Sequence, residues 1–206
     1  MHVLIQKPDR KRGFKKERIL RVLLNSPEGK LTKYRVAKEA EATEPWTREY
    51  TSELEKQGIL KDTRVIKPRK LYEEWRNTGI RPDIIEVSLQ QPKKILDETD
   101  IKYAATTYTA ENLHQGFLFE SKTDLYIDPE QARDWTELIE NKGGAIGGGN
   151  TRLRATDKHV FYQAQEVRGT TTVSVPQLIV DLLDEGGPCE EAAQKLIDKS
   201  HSESDG

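Results

Sequence analysis

Residues 44–60 read EPWTREYTSELEKQGIL, and this stretch decides the fold that we predict for the N-terminal part of the chain. Pro45 suits the first turn of a helix, and Gly58 is the residue type that commonly follows a helix C-terminus. Trp46, Tyr50 and Leu54 are spaced by four, so they would form one buried stripe. We therefore predict a helix that starts at Glu44 and ends at Gly58.

The flanking sequence predicts two helices before this one and a hairpin after it. Apolar residues recur at helical spacing up to a break at 25–29, and Thr32 is a good N-cap for a second helix. Residues 59–66, ILKDTRVI, predict a tight hairpin that turns at Asp62-Thr63. Helix, helix, turn, helix, hairpin is the plan of a winged helix-turn-helix. A plain three-helix bundle with a solvated basic face is the alternative.

Charge is distributed unevenly along the chain. Residues 1–81 hold 21 Lys+Arg against 12 Asp+Glu, whereas residues 82–206 hold 12 against 23. A basic block of domain size favours nucleic acid as a partner, because neutralising phosphates supplies most non-specific affinity. The densely basic residues 7–18 are either an arm that lies along phosphates or a solvated lead-in to the first helix.

Helical geometry selects the residues that would meet double-stranded DNA. A recognition helix contacts base edges with its N-terminal turns, and the fork of Arg48 matches O6 and N7 of guanine. We expect hydroxyl groups of the same helix to contact phosphates or thymine edges, the start of the second helix to contact the backbone, and two cations to flank the hairpin tip. The predicted DNA-binding residues are Lys33, Arg35, Thr47, Arg48, Thr51, Ser52, Lys61 and Arg64.

The rest of the chain predicts a mixed α/β region, so the predicted fold class is α+β. We predict strands near 84–89, 124–127, 159–164 and 171–175, and helices near 105–115, 129–141, 176–185 and 188–199. The predicted domains are a winged helix with a basic N-terminal arm at 1–67, a connector helix at 68–80, a mixed α/β C-terminal domain at 81–199 and a disordered tail at 200–206.

The sequence offers little that would support catalysis, a metal or a membrane. The four histidines show no metal-ligand spacing with each other or with Cys189, and there is no Gly-x-Ser-x-Gly motif. The glycine-rich stretch 143–150 lacks the Lys-Ser/Thr of a phosphate loop, so we predict a flexible hairpin or loop there. No run approaches the ~20 apolar residues of a membrane span. We expect a cytoplasmic protein with no cofactor and no enzymatic activity.

The chain from about residue 14 to 199 resembles winged-helix regulators related to the AbiE-type (type IV) antitoxins. The segments that carry the resemblance are 53–60 (ELEKQGIL), 64–75 (RVIKPRKLYEEW), 103–110 (YAATTYTA), 124–127 (DLYI), 175–183 (VPQLIVDLL) and the Ala192-Ala193-x-x-Leu196 helix. The family tends to have a Thr-Gly or Ser-Gly pair where this chain has Thr106-Thr107-Tyr108.

The resemblance implies an N-terminal winged helix that binds operator DNA and a C-terminal α/β domain without catalytic activity. The chain also lacks the Gly-Ser…Asp-x-Asp carboxylates of an active nucleotidyltransferase. We therefore predict a sequence-specific DNA-binding transcriptional regulator with a non-catalytic C-terminal interaction domain. The alternative is an antitoxin that neutralises a nucleotidyltransferase-like toxin and autoregulates its operon. Because operators are commonly two-fold symmetric, a homodimer is also considered.

Overall fold

The computed structural model describes residues 11–201, with side chains from Gly13 onward, and the fold is mixed α+β. The helices are α1 (Lys11–Asn25), α2 (Lys33–Glu39), α3 (Glu44–Lys56), α4 (Pro68–Thr78), α5 (Pro92–Glu98), α6 (Thr107–His114), α7 (Ala132–Asn141), α8 (Val175–Glu185) and α9 (Pro188–His201). The strands are β1 (Leu60–Lys61), β2 (Arg64–Val65), β3 (Asp83–Ser88), β4 (Tyr103–Ala105), β5 (Thr123–Ile127), β6 (Ala145–Ile146), β7 (Thr151–Ala155), β8 (Gln165–Val167) and β9 (Thr170–Thr172).

The chain forms two compact units, and one of them is discontinuous. The sheet unit comprises residues 81–174 of the described chain, and the helical unit comprises the residues before and after it, up to Ile80 and from Val175. The sequence prediction had placed α8 and α9 in the 81–199 domain. They belong instead to the helical unit, because Leu178, Ile179 and Leu182 of α8 are fully buried there.

Helices α1, α4, α8 and α9 pack together in the helical unit. Helix α4, which was predicted to connect two domains, packs against α1, α8 and α9. Arg21 of α1 is fully buried in this core, where its guanidinium lies 2.6 Å from Glu17 and 5.0 Å from the ring centroid of Trp75. Glu17 also accepts a hydrogen bond from the backbone N–H of Ile80 at 3.2 Å. These partners satisfy a buried ion pair, which burial would otherwise make unfavourable.

The hairpin of β1 and β2 is tied to the start of α2. Leu60 pairs with Val65 and Lys61 with Arg64, and an isolated antiparallel bridge joins Arg64 of β2 to Glu28 in the segment between α1 and α2. Gly29 has φ +76°, and a Cβ there would lie 2.8 Å from that of Arg64, so the close approach requires glycine. At the tip, Thr63 Oγ1 donates to the carbonyl of Leu31 at 2.5 Å, which fixes the turn.

The sheet unit contains a seven-stranded mixed sheet with strand order β6-β3-β7-β5-β4-β9-β8. Its apolar face, including Leu125 and Leu153, packs with Trp135 and Ile139 of α7 and with the two buried apolar residues of α5 in one core. Strand alternation places every second residue on this face. The remaining residues of β5 and β7 therefore lie on the opposite face.

That opposite face carries a buried charged cluster. Asp124 is fully buried, and Arg152 donates to both of its carboxylate oxygens at 2.5 Å, a bidentate pair. Thr107 Oγ1 donates to Asp124 Oδ2. Thr107 has φ +40°, in the left-handed region that costs a β-branched residue about 1–2 kcal/mol.

Some local predictions differ from the structure. Residues 158–161 form a 3-10 turn instead of the predicted strand, because the Asp157 side chain accepts a hydrogen bond from the N–H of His159 and caps the turn. Of the densely basic segment 7–18, positions 7–10 lie outside the described residues and positions 11–18 belong to α1. Of the predicted tail, Ser200 and His201 end α9, and 202–206 lie outside the described residues. Within residues 11–201, every helix is too short or too polar to cross a membrane.

Candidate nucleic-acid interface

The structure separates the eight predicted DNA-binding residues into three groups by exposure. Arg35, Arg48, Lys61 and Arg64 are exposed, whereas Lys33 and Ser52 are partly buried. Thr47 and Thr51 are fully buried. The predicted set is therefore not one continuous exposed surface, and each group has its own physical explanation.

The two buried threonines correct the predicted orientation of α3. Its buried stripe consists of Thr47, Tyr50, Thr51 and Leu54, while Trp46 is only partly buried. The helix is thus rotated relative to the predicted stripe, and the threonine hydroxyls face inward. They bond within their own helix, with Thr47 Oγ1 donating to Thr43 O at 3.0 Å and Thr51 Oγ1 donating to Thr47 O at 2.8 Å. In this arrangement neither hydroxyl is available to DNA.

Arg48 is exposed but paired. Its Nε donates to Glu44 Oε1 at 2.8 Å, and an exposed pair four residues apart in a helix contributes only about 0.3–0.5 kcal/mol. Arg48 can therefore leave Glu44 at small cost. Over its whole length, however, α3 has two cations against four glutamates. The helix as a whole is therefore acidic.

The two cations at the start of α2 bind within the protein. Lys33 Nζ lies 3.1 Å from Glu55 of α3 and 3.7 Å from Asp62 of the hairpin, and its side chain is only 15% exposed. It therefore joins three elements of the helical unit, which is a structural role. Arg35 is more exposed and pairs with Glu39 at 3.2 Å, one turn further along α2.

The hairpin presents two cations side by side. Lys61 and Arg64 are directly opposite each other in the β1–β2 register, so both side chains lie on the same face of the ribbon. Both are exposed, and neither forms an ion pair with any residue between 11 and 201. Like charges directly opposite are destabilising. The hairpin therefore maintains a concentration of positive charge that an external anion would neutralise.

Sequence reasoning missed three further exposed cations near this hairpin in the chain, namely Lys56, Lys67 and Lys70. In the part of the chain that the structure describes, none of them has an acidic partner. Lys67 lies two residues after the end of β2, and its Nζ lies 3.3 Å from the position of a Cβ built on Gly58, beside the end of α3. Only the run Lys67-Pro68-Arg69-Lys70 in the sequence indicates this cluster.

The C-terminal helices contribute negative charge to the same unit. Residues 10–80 hold 19 Lys+Arg against 11 Asp+Glu, whereas residues 175–206 hold 2 against 8. Arg69 of α4 pairs with Asp198 of α9 at 2.5 Å, and Arg76 pairs with Asp184 of α8 at 2.9 Å. The sequence predicted a basic domain and an acidic domain. In the structure, much of this contrast in charge lies between two parts of the helical unit. Its α4 arginines are neutralised, and its hairpin cations are not.

Titratable residues elsewhere are engaged in structural contacts. Cys189 is a buried thiol outside any disulfide, His159 stacks on Tyr162 with ring centroids 5.0 Å apart, and His114 Nε2 lies 3.2 Å from Thr172 Oγ1. Among the described residues, no three His, Cys, Asp or Glu side chains are grouped so that they could hold a metal ion.

Comparisons with models of protein families, with curated proteins and with solved structures found no match to this chain.

Proposed function

We propose that the helical unit is a winged helix-turn-helix that binds double-stranded DNA and that the protein is a sequence-specific transcriptional regulator. The observation that carries this proposal is the hairpin, on which Lys61 and Arg64 are opposite each other, exposed and without an acidic partner in residues 11–201. Three helices followed by a short antiparallel ribbon have the order of elements expected of that motif.

The ribbon and α3 would contribute differently to binding. Lys61 and Arg64 would neutralise phosphates, which supplies affinity without sequence information. Arg48 would supply sequence readout at a guanine, after exchanging its weak pair with Glu44 for a bidentate contact. The acidic surface of α3 restricts this readout to its N-terminal turns, since Glu49, Glu53 and Glu55 would repel phosphate.

The sheet unit is proposed as a non-catalytic interaction domain. The relation to AbiE-type antitoxins stays a prediction, as do the toxin partner that it implies and the homodimer. The resemblance supports the regulator and the antitoxin equally, because the DNA-binding role is common to both.

A salt titration tests the proposal. Binding of the full-length protein to the DNA upstream of its own gene is compared with binding to random DNA of equal length. A regulator discriminates strongly between the two, and log K falls linearly with log salt with a slope of about −0.9 for each phosphate neutralised. A steep slope without discrimination would indicate a general nucleic-acid binder instead.

Two variants make the titration specific to the hairpin. The double variant Lys61→Ala/Arg64→Ala should weaken binding to both DNAs and make the slope shallower by about 2. The matched control, Arg133→Ala/Lys158→Ala, removes one arginine and one lysine from exposed ion pairs of the sheet unit and should leave the slope unchanged. Equal slopes for the parent and the hairpin variant would contradict the assignment.

A further inference from the structure

The loop between α6 and β5 presents two aromatic side chains to solvent. Phe119 is 95% exposed and Phe117 is 41% exposed, while Leu118 between them is buried. Exposing a phenylalanine ring this fully forgoes burial that would contribute roughly 1.5–3 kcal/mol. This alternation of outward and inward side chains indicates a loop whose shape is fixed, with the rings on its outer side.

A fully buried carboxylate fixes that shape. Glu111 Oε1 accepts a hydrogen bond from the N–H of Phe117 at 3.1 Å, and Glu111 Oε2 accepts one from the N–H of Leu118 at 2.7 Å. Asn112 Nδ2 donates to the carbonyl of Leu118 at 3.1 Å. Hydrogen bonds to N–H groups and to a carbonyl group therefore hold the backbone that carries the two rings. Preorganisation of this kind lowers the entropy lost when a ligand binds.

A pocket borders the loop. Its volume is about 540 Å³, and the four consecutive residues 120–123 form part of its lining, so Phe119 directly precedes it in the chain. The lining includes Lys93, Lys94, Lys122, Ser121 and Asn150. The Asn150 amide is already bonded to the backbone of Leu89. The volume lies within the range of small-molecule sites.

The pocket lining contains more lysines than carboxylates, although the sheet unit as a whole is acidic. Residues 81–174 hold 11 Lys+Arg against 15 Asp+Glu, yet the pocket lining has three lysines and one carboxylate, that of Glu120. Each lysine has one carboxylate partner: Lys93 pairs with Glu120 at 2.6 Å, Lys122 with Glu86 at 2.5 Å, and Lys94 lies 3.9 Å from Glu98. An ammonium group has three donors, so a lysine held by one carboxylate still offers N–H groups to a second anion.

We propose that this pocket binds a nucleotide, with the phosphates on the lysines and the base stacked on Phe119. A positively charged groove beside an exposed aromatic ring is the arrangement that binds single-stranded nucleic acid without strong sequence preference. The same chemistry would accept a free nucleoside triphosphate. The site is separate from the proposed double-stranded DNA site and does not depend on it.

Fluorescence anisotropy with the full-length protein tests the proposal. The probe is a fluorescein-labelled oligothymidylate of about 10 nucleotides, a length typical of such grooves, and unlabelled ATP is the competitor. If ATP displaces the oligonucleotide, the site accepts free nucleotides as well as single strands. If ATP leaves the binding unchanged, the site accepts single strands only. Both results support the proposal, and binding of neither ligand overturns it.

Substitutions at Phe119 distinguish stacking from other apolar contacts. Phe119→Leu keeps an apolar side chain and removes the ring, so oligothymidylate affinity should fall roughly 5- to 100-fold, the effect of one lost base–aromatic stack. Phe119→Trp should retain affinity. Equal affinity of Phe119→Leu and the parent overturns the proposal. Because Phe119 makes almost no contacts, neither change should affect folding, which circular dichroism verifies.

Charge variants locate the phosphates. Lys122→Gln should weaken binding and make its salt dependence shallower by about 0.7, the value for one phosphate of a single strand. The control Arg133→Gln, on α7, should have no effect. The hairpin variant Lys61→Ala/Arg64→Ala should bind oligothymidylate as the parent does. Loss of oligothymidylate binding in that variant would place the strand on the helical unit and overturn the proposal.

Discussion

Arg21 in α1 and Gln177 in α8 are joined by two hydrogen bonds although 156 residues separate them in the chain. Arg21 Nε and Nη2 both donate to Gln177 Oε1, at 2.9 and 2.7 Å. Gln177 Nε2 in turn donates to Asp181 Oδ1 at 2.9 Å. All three side chains are buried. The contact makes the C-terminal helices part of the unit that contains the proposed DNA-binding elements.

Breaking this network should destabilise the helical unit. Arg21→Ala leaves Glu17 buried without its cation, and we expect a loss of about 3–5 kcal/mol in the free energy of unfolding. Gln177→Ala removes the acceptor of two hydrogen bonds from the buried Arg21 guanidinium and should cost about 1–3 kcal/mol. Urea unfolding followed by tryptophan fluorescence measures both effects, since Arg21 lies over the ring of Trp75.

The control for those variants is Arg133→Ala, which removes an exposed arginine that pairs with Glu137 four residues away. It should change the unfolding free energy by less than about 0.5 kcal/mol. A similar small effect for Arg21→Ala would show that the buried network contributes little to the unit.

Arg48 should matter for DNA recognition and hardly at all for stability. Arg48→Ala loses an exposed pair worth about 0.3–0.5 kcal/mol but should weaken binding to the cognate site by roughly 1–3 kcal/mol and relax specificity. Glu44→Gln should tighten binding, because it releases Arg48 and removes a charge that phosphate repels. Competition binding with cognate and random DNA measures both, and unchanged affinity in Arg48→Ala would exclude α3 as the recognition helix.

Thr107 is predicted to stay in its unfavourable backbone conformation because of its hydroxyl. Thr107→Val keeps the β-branch and loses the bond to the buried Asp124 carboxylate, so the sheet unit should lose about 1.5–3 kcal/mol. Thr107→Ser retains the hydroxyl and should be nearly neutral. Thermal unfolding of the two variants beside the parent measures the difference, and equal melting temperatures for valine and serine would disprove the role of the bond.

His201 should make the stability of the helical unit depend on pH. Burial lowers the pKa of His201 below its ordinary value of 6.5, against a smaller opposing effect of Glu28, and its Nε2 lies 3.3 Å from the hydroxyl of Tyr72. The native state therefore disfavours the protonated imidazole, and the unfolded chain binds the proton first. The contribution of neutral His201 to stability is fully present above pH 6.5. It decreases as the pH falls from 6.5 to the lowered pKa of the native state.

The measurement is the free energy of unfolding between pH 8 and pH 5. His201→Gln lacks the titrating group, so its stability should decline less over this range than that of the parent. Parallel curves for the two proteins would assign the pH dependence to other groups.

Local patterns predicted local elements well, and long-range contacts were the part that they did not predict. The Pro45 and Gly58 signals correspond to an observed helix, Glu44–Lys56, because capping depends on neighbours in the sequence. The rotation of that helix did not follow from its apolar residues, since two threonines satisfied their hydroxyls on their own backbone and took interior positions. Exposure of Arg48 was expected, but its pairing with Glu44 was not considered.

The placement of α8 and α9 lay beyond sequence reasoning for a different reason. Their amphipathic pattern shows that one face is buried, but it does not identify the partner of that face. Asp184 and Asp198 appeared as part of an acidic C-terminal block, although they neutralise Arg76 and Arg69 of the basic one. Net charge by segment therefore described the chain correctly and described the folded surface poorly.

The discontinuous helical unit has a consequence for biosynthesis. Helices α1 to α4 are synthesised first, but the surface that α8 covers stays open until the sheet unit has been translated. At roughly 5–20 residues per second, residues 81–174 alone take roughly 5–20 s. During this interval the buried pair of Glu17 and Arg21 lacks Gln177, and the nascent chain must expose apolar surface. The helical unit, and with it the proposed DNA-binding surface, would then be completed only after α8 and α9 have been synthesised.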